Sequence, residues 1–421
     1  MKKLPAIFLI LLFMSLGSAA AQRSRRPAST PSPVASAGEK AEWETLKKRF
    51  GQYGADYLMS RMWALIHTYR SKSQLDETMN LLQVLFAAME KNDQTKLRPV
   101  GGLAGFQNRF VRLMNSDDDT VAGFSARVLA VCFGMRYGPQ IAALMNKRDK
   151  SFTDEDVYPE ITSRGNAAVA LSILETTQYT QAIAALLKSV NIYDRSGAAY
   201  ALAHLKATEY ASEIAGLLVK QQSGFRRDES PIHALIEMGV GPQYKKEIAQ
   251  ALDEDFSSEA NEAAVYALAH LRAMEYAPAI ARLLDHRYRR GNAAKALAIM
   301  GAREYAAKIA TLLDDDEASL DQSAALLALG ILKANEYAPR AVTLMRTKSS
   351  SFVSNFAALS LTLMGKEEYA KEVIAVLSVN KTGKYVDEGE LHPLVAEDAR
   401  QINQRVLATL EQFKSRRLPS P

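Results

Sequence analysis

From residue 120 to residue 378 the apolar positions of this chain keep one rhythm. A tyrosine recurs at Tyr137, Tyr179, Tyr210, Tyr244, Tyr276, Tyr305, Tyr337 and Tyr369, at intervals of 42, 31, 34, 32, 29, 32 and 32 residues. The mean, about 33, is a helical-repeat length. Eight residues before each tyrosine stands Leu129, Leu171, Leu202, Ile236, Leu268, Leu297, Leu329 or Leu361. Twelve before it stands a small residue in seven of the eight units: Ser125, Ala167, Ala198, Ala264, Ala293, Ala325 and Ala357, with Ile232 the exception. Four after it come Ile141, Ile183, Ile214, Ile248, Ile280, Ile309, Ala341 and Val373. Offsets of this kind line one face of a helix, so each unit predicts two short amphipathic helices that meet near the tyrosine. No run alternates with period two, and no strand is predicted.

A helix pair with an apolar stripe on both flanks is unstable alone, whereas stacked pairs bury both stripes in one continuous core. The alanine positions let helices approach closely, and the Leu and Ile positions fill between layers. The expected fold is all-α, a right-handed α-α superhelix of about eight helix pairs with helical caps, about 75–80 Å long. The unit Arg195-Ser-Gly-Ala198-Ala-Tyr-Ala-Leu202-Ala-His-Leu205 with Glu209-Tyr210-Ala-Ser-Glu-Ile214-Ala-Gly-Leu-Leu218 resembles the short HEAT repeat. In that family an Arg opens the first helix three residues before a packed Ala. Arg164, Arg195 and Arg290 stand at that place, while Asn261, Gln322 and Ser354 depart from it. The resemblance implies an α-solenoid and carries no catalytic residue to transfer.

Outside the array the pattern changes. Residues 41–119 read helical, most clearly over Leu75–Met89, as an N-terminal cap or degenerate repeats. Residues 379–421 predict a loop, then a helix opened by Pro393 with a stripe of Val395, Ala399, Ile402, Val406, Leu410 and Phe413, covering the last layer, then a frayed tail. Residues 1–21 predict a secretory signal peptide: Lys2 and Lys3, an apolar run, then Ala19 and Ala21 before the cleavage point. Residues 22–40, opening QRSRRPASTPSPVASAG, hold too little apolar surface to offset their ordering entropy and predict a disordered linker. The mature protein is therefore expected to be exported, periplasmic or secreted, with no membrane segment after cleavage.

Composition sharpens this. Hydrophobic residues make up 48% and charged residues 24%, which excludes a wholly disordered chain. The net charge of +5 suggests nucleic acid until it is located. Lys2, Lys3, Arg23, Arg25 and Arg26 carry all of it; without them 47 basic residues face 47 acidic ones. A neutral body argues against a nucleic-acid partner. A single cysteine excludes an intrachain disulfide and paired-thiolate zinc.

The candidate chemistry is thin. Cys132 stands where other units carry Leu or Met, so it reads as a core side chain. His204 and His270 occupy equivalent positions two units apart, about 20 Å from each other, too far to share one metal ion with bonds of about 2 Å. Ser378-Val-Asn-Lys381 with Thr382-Gly383 merges two motifs that penicillin-binding chemistry needs far apart. Asn115, Asp117 and Asp119 have calcium-loop spacing but lack the required Gly and Glu, so Asp117–Asp119 read as helix-capping carboxylates. No catalytic residue, cofactor site or metal site is predicted.

The expected function is a non-enzymatic scaffold that binds a protein partner along the solenoid surface. The alternative is an enzyme or enzyme-accessory protein, because the short HEAT family includes bilin-lyase components and helical toroids host exported carbohydrate enzymes. Charge alternates along the loops between units: acidic at Asp253–Asp255, basic at His286, Arg287, Tyr288, Arg289 and Arg290, acidic again at Asp314–Glu317. Ordinary ion pairs between neighbouring loops account for such alternation. The sharper expectation is that His286–Arg290, with an aromatic between guanidinium groups, contacts an acidic partner.

Overall fold

The computed structural model describes residues 37–53, 73–147, 162–219, 229–253, 258–315, 318–347, 351–377, 385–386 and 391–415. The leader, Trp63 and the Ser378–Gly383 motif lie outside them. The chain forms two units, Met1–Glu42 and Trp43–Pro421, and the whole array belongs to the second. Among the described residues there are helices and turns and no strand.

Among the described residues, three α-helices precede the array: α1 (Ala37–Tyr53), α2 (Ser73–Lys91) and α3 (Gly102–Met114). The first begins at Ala37, inside the segment expected to be a disordered linker. Then first and second helices alternate. The first helices are α4 (Asp119–Phe133), α6 (Ser163–Ser172), α8 (Ile192–His204), α10 (Ser230–Glu237), α12 (Ser258–His270), α14 (Arg290–Met300), α16 (Ser319–Ile331) and α18 (Ser351–Met364). The second helices are α5 (Gly138–Leu144), α7 (Thr180–Ala185), α9 (Ala211–Gly216), α11 (Lys245–Gln250), α13 (Ala277–Arg282), α15 (Ala306–Ala310), α17 (Ala338–Thr347) and α19 (Ala370–Leu377). A last helix, α20, spans Ala396–Ser415. This is a HEAT-like helical-repeat solenoid.

The repeated leucine has a local cause. Backbone N–H groups of Ala207, Ala273, Ala302, Ala334 and Lys366 donate to the carbonyls of Leu202, Leu268, Leu297, Leu329 and Leu361, five residues back. The residue before each donor is left-handed: Lys206, Arg272, Gly301, Lys333 and Gly365 all have positive φ. Each of these five first helices thus ends in a Schellman motif, whose hydrophobic contact joins that leucine to the residue after the left-handed one. Ala207, Ala273, Ala302 and Ala334 are buried accordingly. A short 3-10 turn ending at the repeat tyrosine then reverses the chain into the second helix.

First helices pack on one another from α4 through to α18. Small residues make this possible: a Cβ on Gly197 would lie 2.5 Å from the Gly165 carbonyl oxygen, so α8 and α6 touch backbone to backbone. An Arg-to-Asp ladder ties layers together. Arg164 reaches the buried Asp194 of the next repeat at 3.4 Å, and Asp194 also accepts from Thr162 and Ser189 at 2.6 and 2.9 Å. Four layers later the ladder recurs, with Arg290 Nε 2.6 Å from Asp321. Asp118 caps α4, accepting from the N–H groups of Thr120 and Val121.

The C-terminal helix departs from the expectation of a simple cap. It packs on α18 and α19, but the turn that leads into it, Pro393–Val395, sits on α12, three layers earlier. Twenty helical residues rise about 30 Å, and three layers at about 8–10 Å cover 24–30 Å. The helix therefore runs as a strap across the first helices from α12 to α18. Its predicted stripe is the buried one: Val395, Ala399, Ile402, Val406, Leu410 and Phe413. Asn403 fastens the preceding loop, accepting from the N–H groups of Tyr385 and Val386 and donating to the Val386 carbonyl.

Candidate functional site

The open N-terminal ends of the first helices form one edge of the array. Three large apolar side chains project there: Tyr288 is 85% exposed, Leu320 72% and Phe352 38%. All three stand seventeen residues before a repeat tyrosine, Tyr305, Tyr337 and Tyr369 respectively, so each layer from α14 to α18 contributes one. At about 8–10 Å per layer the row is close to 20 Å long. Other repeats carry Thr120, Thr162, Tyr193 and Glu259 at this register, and none of these is an exposed apolar side chain. The Phe352 ring rests against Phe356 at 5.1 Å, and His286 lies 6.4 Å from Tyr288.

The His286–Arg290 cluster divides in two. Arg287 and Tyr288 are exposed. His286 and Arg289 turn partly inward, and Nδ1 of one and Nη1 of the other are buried without a hydrogen-bond partner. Arg290 is held within the array: Asp315 and Asp321, each at 2.6 Å, pair with it, and their hydrogen bonds raise its pKa. The arginine of the repeat ladder serves the scaffold. Cys132 is buried, and burial pushes its thiol up to about 12. His204 stacks on its own Tyr200 at 6.4 Å, and His270 is exposed.

A second cluster forms where the strap begins. Glu229, just before α10, and His233 on its first turn stand four residues apart, with Oε2 and Nε2 separated by 3.6 Å. The turn ahead of α20 brings His392 to them, its ring 5.2 Å from His233. One donor atom from each of the three lies within 4.8 Å of the others. Tyr266 of α12 closes the floor, nearly parallel to His392 at 5.3 Å, its hydroxyl donating to Asn292 at 3.1 Å. Lys295 lies 5.9 Å from the centre of that ring. Asp398, on the first turn of α20, pairs with Arg272.

Electrostatics follow from this packing. Burial, with repulsion from His233, lowers His392 to about 4, so its imidazole is neutral. The hydrogen bond from His233 holds the Glu229 carboxyl below its usual range. Glu262 moves the other way, raised by burial and by the neighbouring Glu229 and Glu259 despite Lys295.

Two signals of these sites were present in the chain. The seventeen-residue offset of Tyr288, Leu320 and Phe352 is as regular as the tyrosine register itself. Glu229 occupies the ladder position held by Arg164, Arg195 and Arg290, and His233 stands where other repeats have Ala126, Ala168, Ala199, Val265, Ala294, Leu326 and Ala358. Two such departures on one helical turn mark a place where the repeat rule is set aside. His392 has no comparable local sign.

No family model and no curated protein matches the chain. Solved structures do. One is the complex of CpcE and CpcF of phycocyanin lyase from Nostoc sp. PCC7120, with 20% identity and a TM-score of 0.29, covering 65% of this chain and 92% of that one. Another is an engineered protein from the Northeast Structural Genomics Consortium, with 16% identity and a TM-score of 0.36, covering 88% of this chain and 99% of that one. These likenesses concern fold alone.

Proposed function

We propose that this chain is an exported helical-repeat scaffold that grips a protein partner along the edge carrying Tyr288, Leu320 and Phe352, without catalysis of its own. The observation that carries the reading is the regular row itself. Contiguous exposed apolar side chains on a water-soluble surface mark contact sites, and aromatic residues anchor such contacts. Arg287 beside Tyr288 adds a cation suited to an acidic rim on the partner. Export rests on the leader: N-terminal sequencing of the mature chain is expected to start at Gln22.

The test is photo-crosslinking in the native host with a benzophenone amino acid at position 288 or 320. One adduct of the same size is expected from both positions, and Leu320→Glu should abolish the adduct formed at 288. No adduct, or equal labelling from position 200, sinks the reading. The competing reading, an enzyme or enzyme-accessory component, has one specific support, the Glu229–His233–His392 cluster. A turnover abolished by His233→Ala would favour it.

A further inference from the structure

We propose that Glu229, His233 and His392 bind one zinc-type divalent cation, which clamps the C-terminal strap onto α10 and α12. This rests on a different part of the molecule from the apolar edge and stands or falls without it.

The donor set fits. Two imidazole nitrogens and one carboxylate oxygen suit zinc and its neighbours in the transition series rather than calcium or magnesium. Tetrahedral bonds of about 2.0–2.1 Å put donors about 3.3 Å apart. The Glu229 and His233 donors are already 3.6 Å apart, and all three lie within 4.8 Å of one another. Each side chain is only partly buried, so small rotations can close the remaining gap. Three protein donors leave a fourth position for water, the arrangement of an exchangeable rather than a sealed site.

The surroundings favour a cation. Glu259 and Glu262 lie close enough to Glu229 to perturb it or be perturbed by it, and Lys295 is the nearby basic partner of Glu262. Among the described residues, the carboxylates of Glu229, Glu259 and Glu262 outnumber the ammonium of Lys295, a balance that a divalent ion would offset. Where the ladder would run from α10 to α12, Glu229 replaces the arginine and Ala260 replaces the aspartate. At present His392 Nδ1 accepts the Leu394 N–H at a long 3.3 Å. A cation on Nδ1 would displace that weak bond; one on Nε2 would require the imidazole proton to move to Nδ1. Either way that weak bond is surrendered, together with the hydrogen bond from His233 to Glu229, whose two atoms the cation would hold instead. A metal bridging α10 and the strap would join segments some 160 positions apart, where a clamp most restricts the free chain.

The experiment is Zn2+ and Co2+ titration of the full mature chain by calorimetry and visible absorption, repeated on Glu229→Gln, His233→Asn, His392→Asn and a His204→Asn/His270→Asn control. Expected are one equivalent bound, cobalt bands of four-coordinate intensity, and affinity lowered at least about tenfold by each ligand substitution. The control should bind as wild type. Zinc should also slow tryptic cleavage after Arg400 and Arg405 in wild type and not in His392→Asn. Glu229→Gln, at a partly exposed carboxylate, keeps the test valid if a histidine variant misfolds. Absence of saturable binding overturns the proposal. So does binding that survives all three ligand substitutions, or binding lost equally in the control, which would mark scattered surface histidines.

Discussion

Two five-residue stretches of the array are identical, Tyr200–His204 on α8 and Tyr266–His270 on α12, each reading Tyr-Ala-Leu-Ala-His. They hold the same register, ten residues before Tyr210 and Tyr276. Their fates differ. Tyr200 is 42% exposed and stacks on its own His204, whereas Tyr266 is fully buried under His392 and bonded to Asn292. The residues after them repeat the lesson. Lys206 and Arg272 both adopt the left-handed conformation, and each donates to a carbonyl at the end of the next first helix, Glu237 or Ile299. Only Arg272 also meets Asp398 of the strap. Identical local sequence builds identical local structure; a segment more than a hundred residues away decides which of the two tyrosines is interior and which is surface.

The contrast is sharpest at the tyrosines. Tyr266→Ala should cost about 3–5 kcal/mol, as loss of a buried aromatic does. Tyr200→Ala should cost below about 1 kcal/mol, as at a largely exposed site. Parallel urea denaturation of the two variants measures this, and equal losses would show that the strap does not protect α12. Leu268→Ala should cost about 2–5 kcal/mol, because Leu268 is fully buried and supplies the Schellman carbonyl. Leu202→Ala should fall in the same range, since Leu202 is equally buried and supplies the same carbonyl; a change below half a kcal/mol in either would mean the register is wrong.

Alkaline pH separates the pair again. Burial raises the Tyr266 phenol above its ordinary value of 10.0, so the folded state holds that proton where the unfolded chain would release it. Stability from this group is complete below pH 10 and declines as pH rises above it. Tyr266→Phe should flatten that decline, and Tyr200→Phe should leave it unchanged, as read from melting temperatures between pH 9 and 11. The smallest expected effect is at the ion pair. Arg272 is half exposed, so Arg272→Ala should lose no more than about 1 kcal/mol through Asp398. Salt should weaken wild type toward the variant, and a loss insensitive to salt would assign the effect to the Ile299 carbonyl contact instead.

How far the chain could be read depends on which interactions are local. In five of the eight repeats the leucine eight residues before the tyrosine marks a Schellman end, and that motif closes within six residues, so spacing alone reveals it. The stripe on α20 was equally legible, since helical periodicity names the buried face whatever that face meets. The layers it would meet were not, because a stripe of Ile, Val and Leu packs as well on α12 as on α18. Arg290 resembled a binding residue while its partners, Asp315 and Asp321, lay across the gap between repeats. The apolar row was readable in principle, through a constant offset, but only if exposure at that offset was known.

By itself, then, the sequence determined the helical repeat, the small residues that let first helices touch, and the places where the repeat rule lapses, Glu229 and His233 among them. Those are consequences of periodicity and backbone geometry within a few turns. Only the tertiary structure decided that the last helix doubles back over three layers and that His392 completes a cluster begun on α10. It also decided that the tyrosine of only one of two identical pentapeptides is sealed from water. Contacts between distant segments depend on helix length against layer spacing and on which faces remain open. Neither is written in any local stretch of the chain.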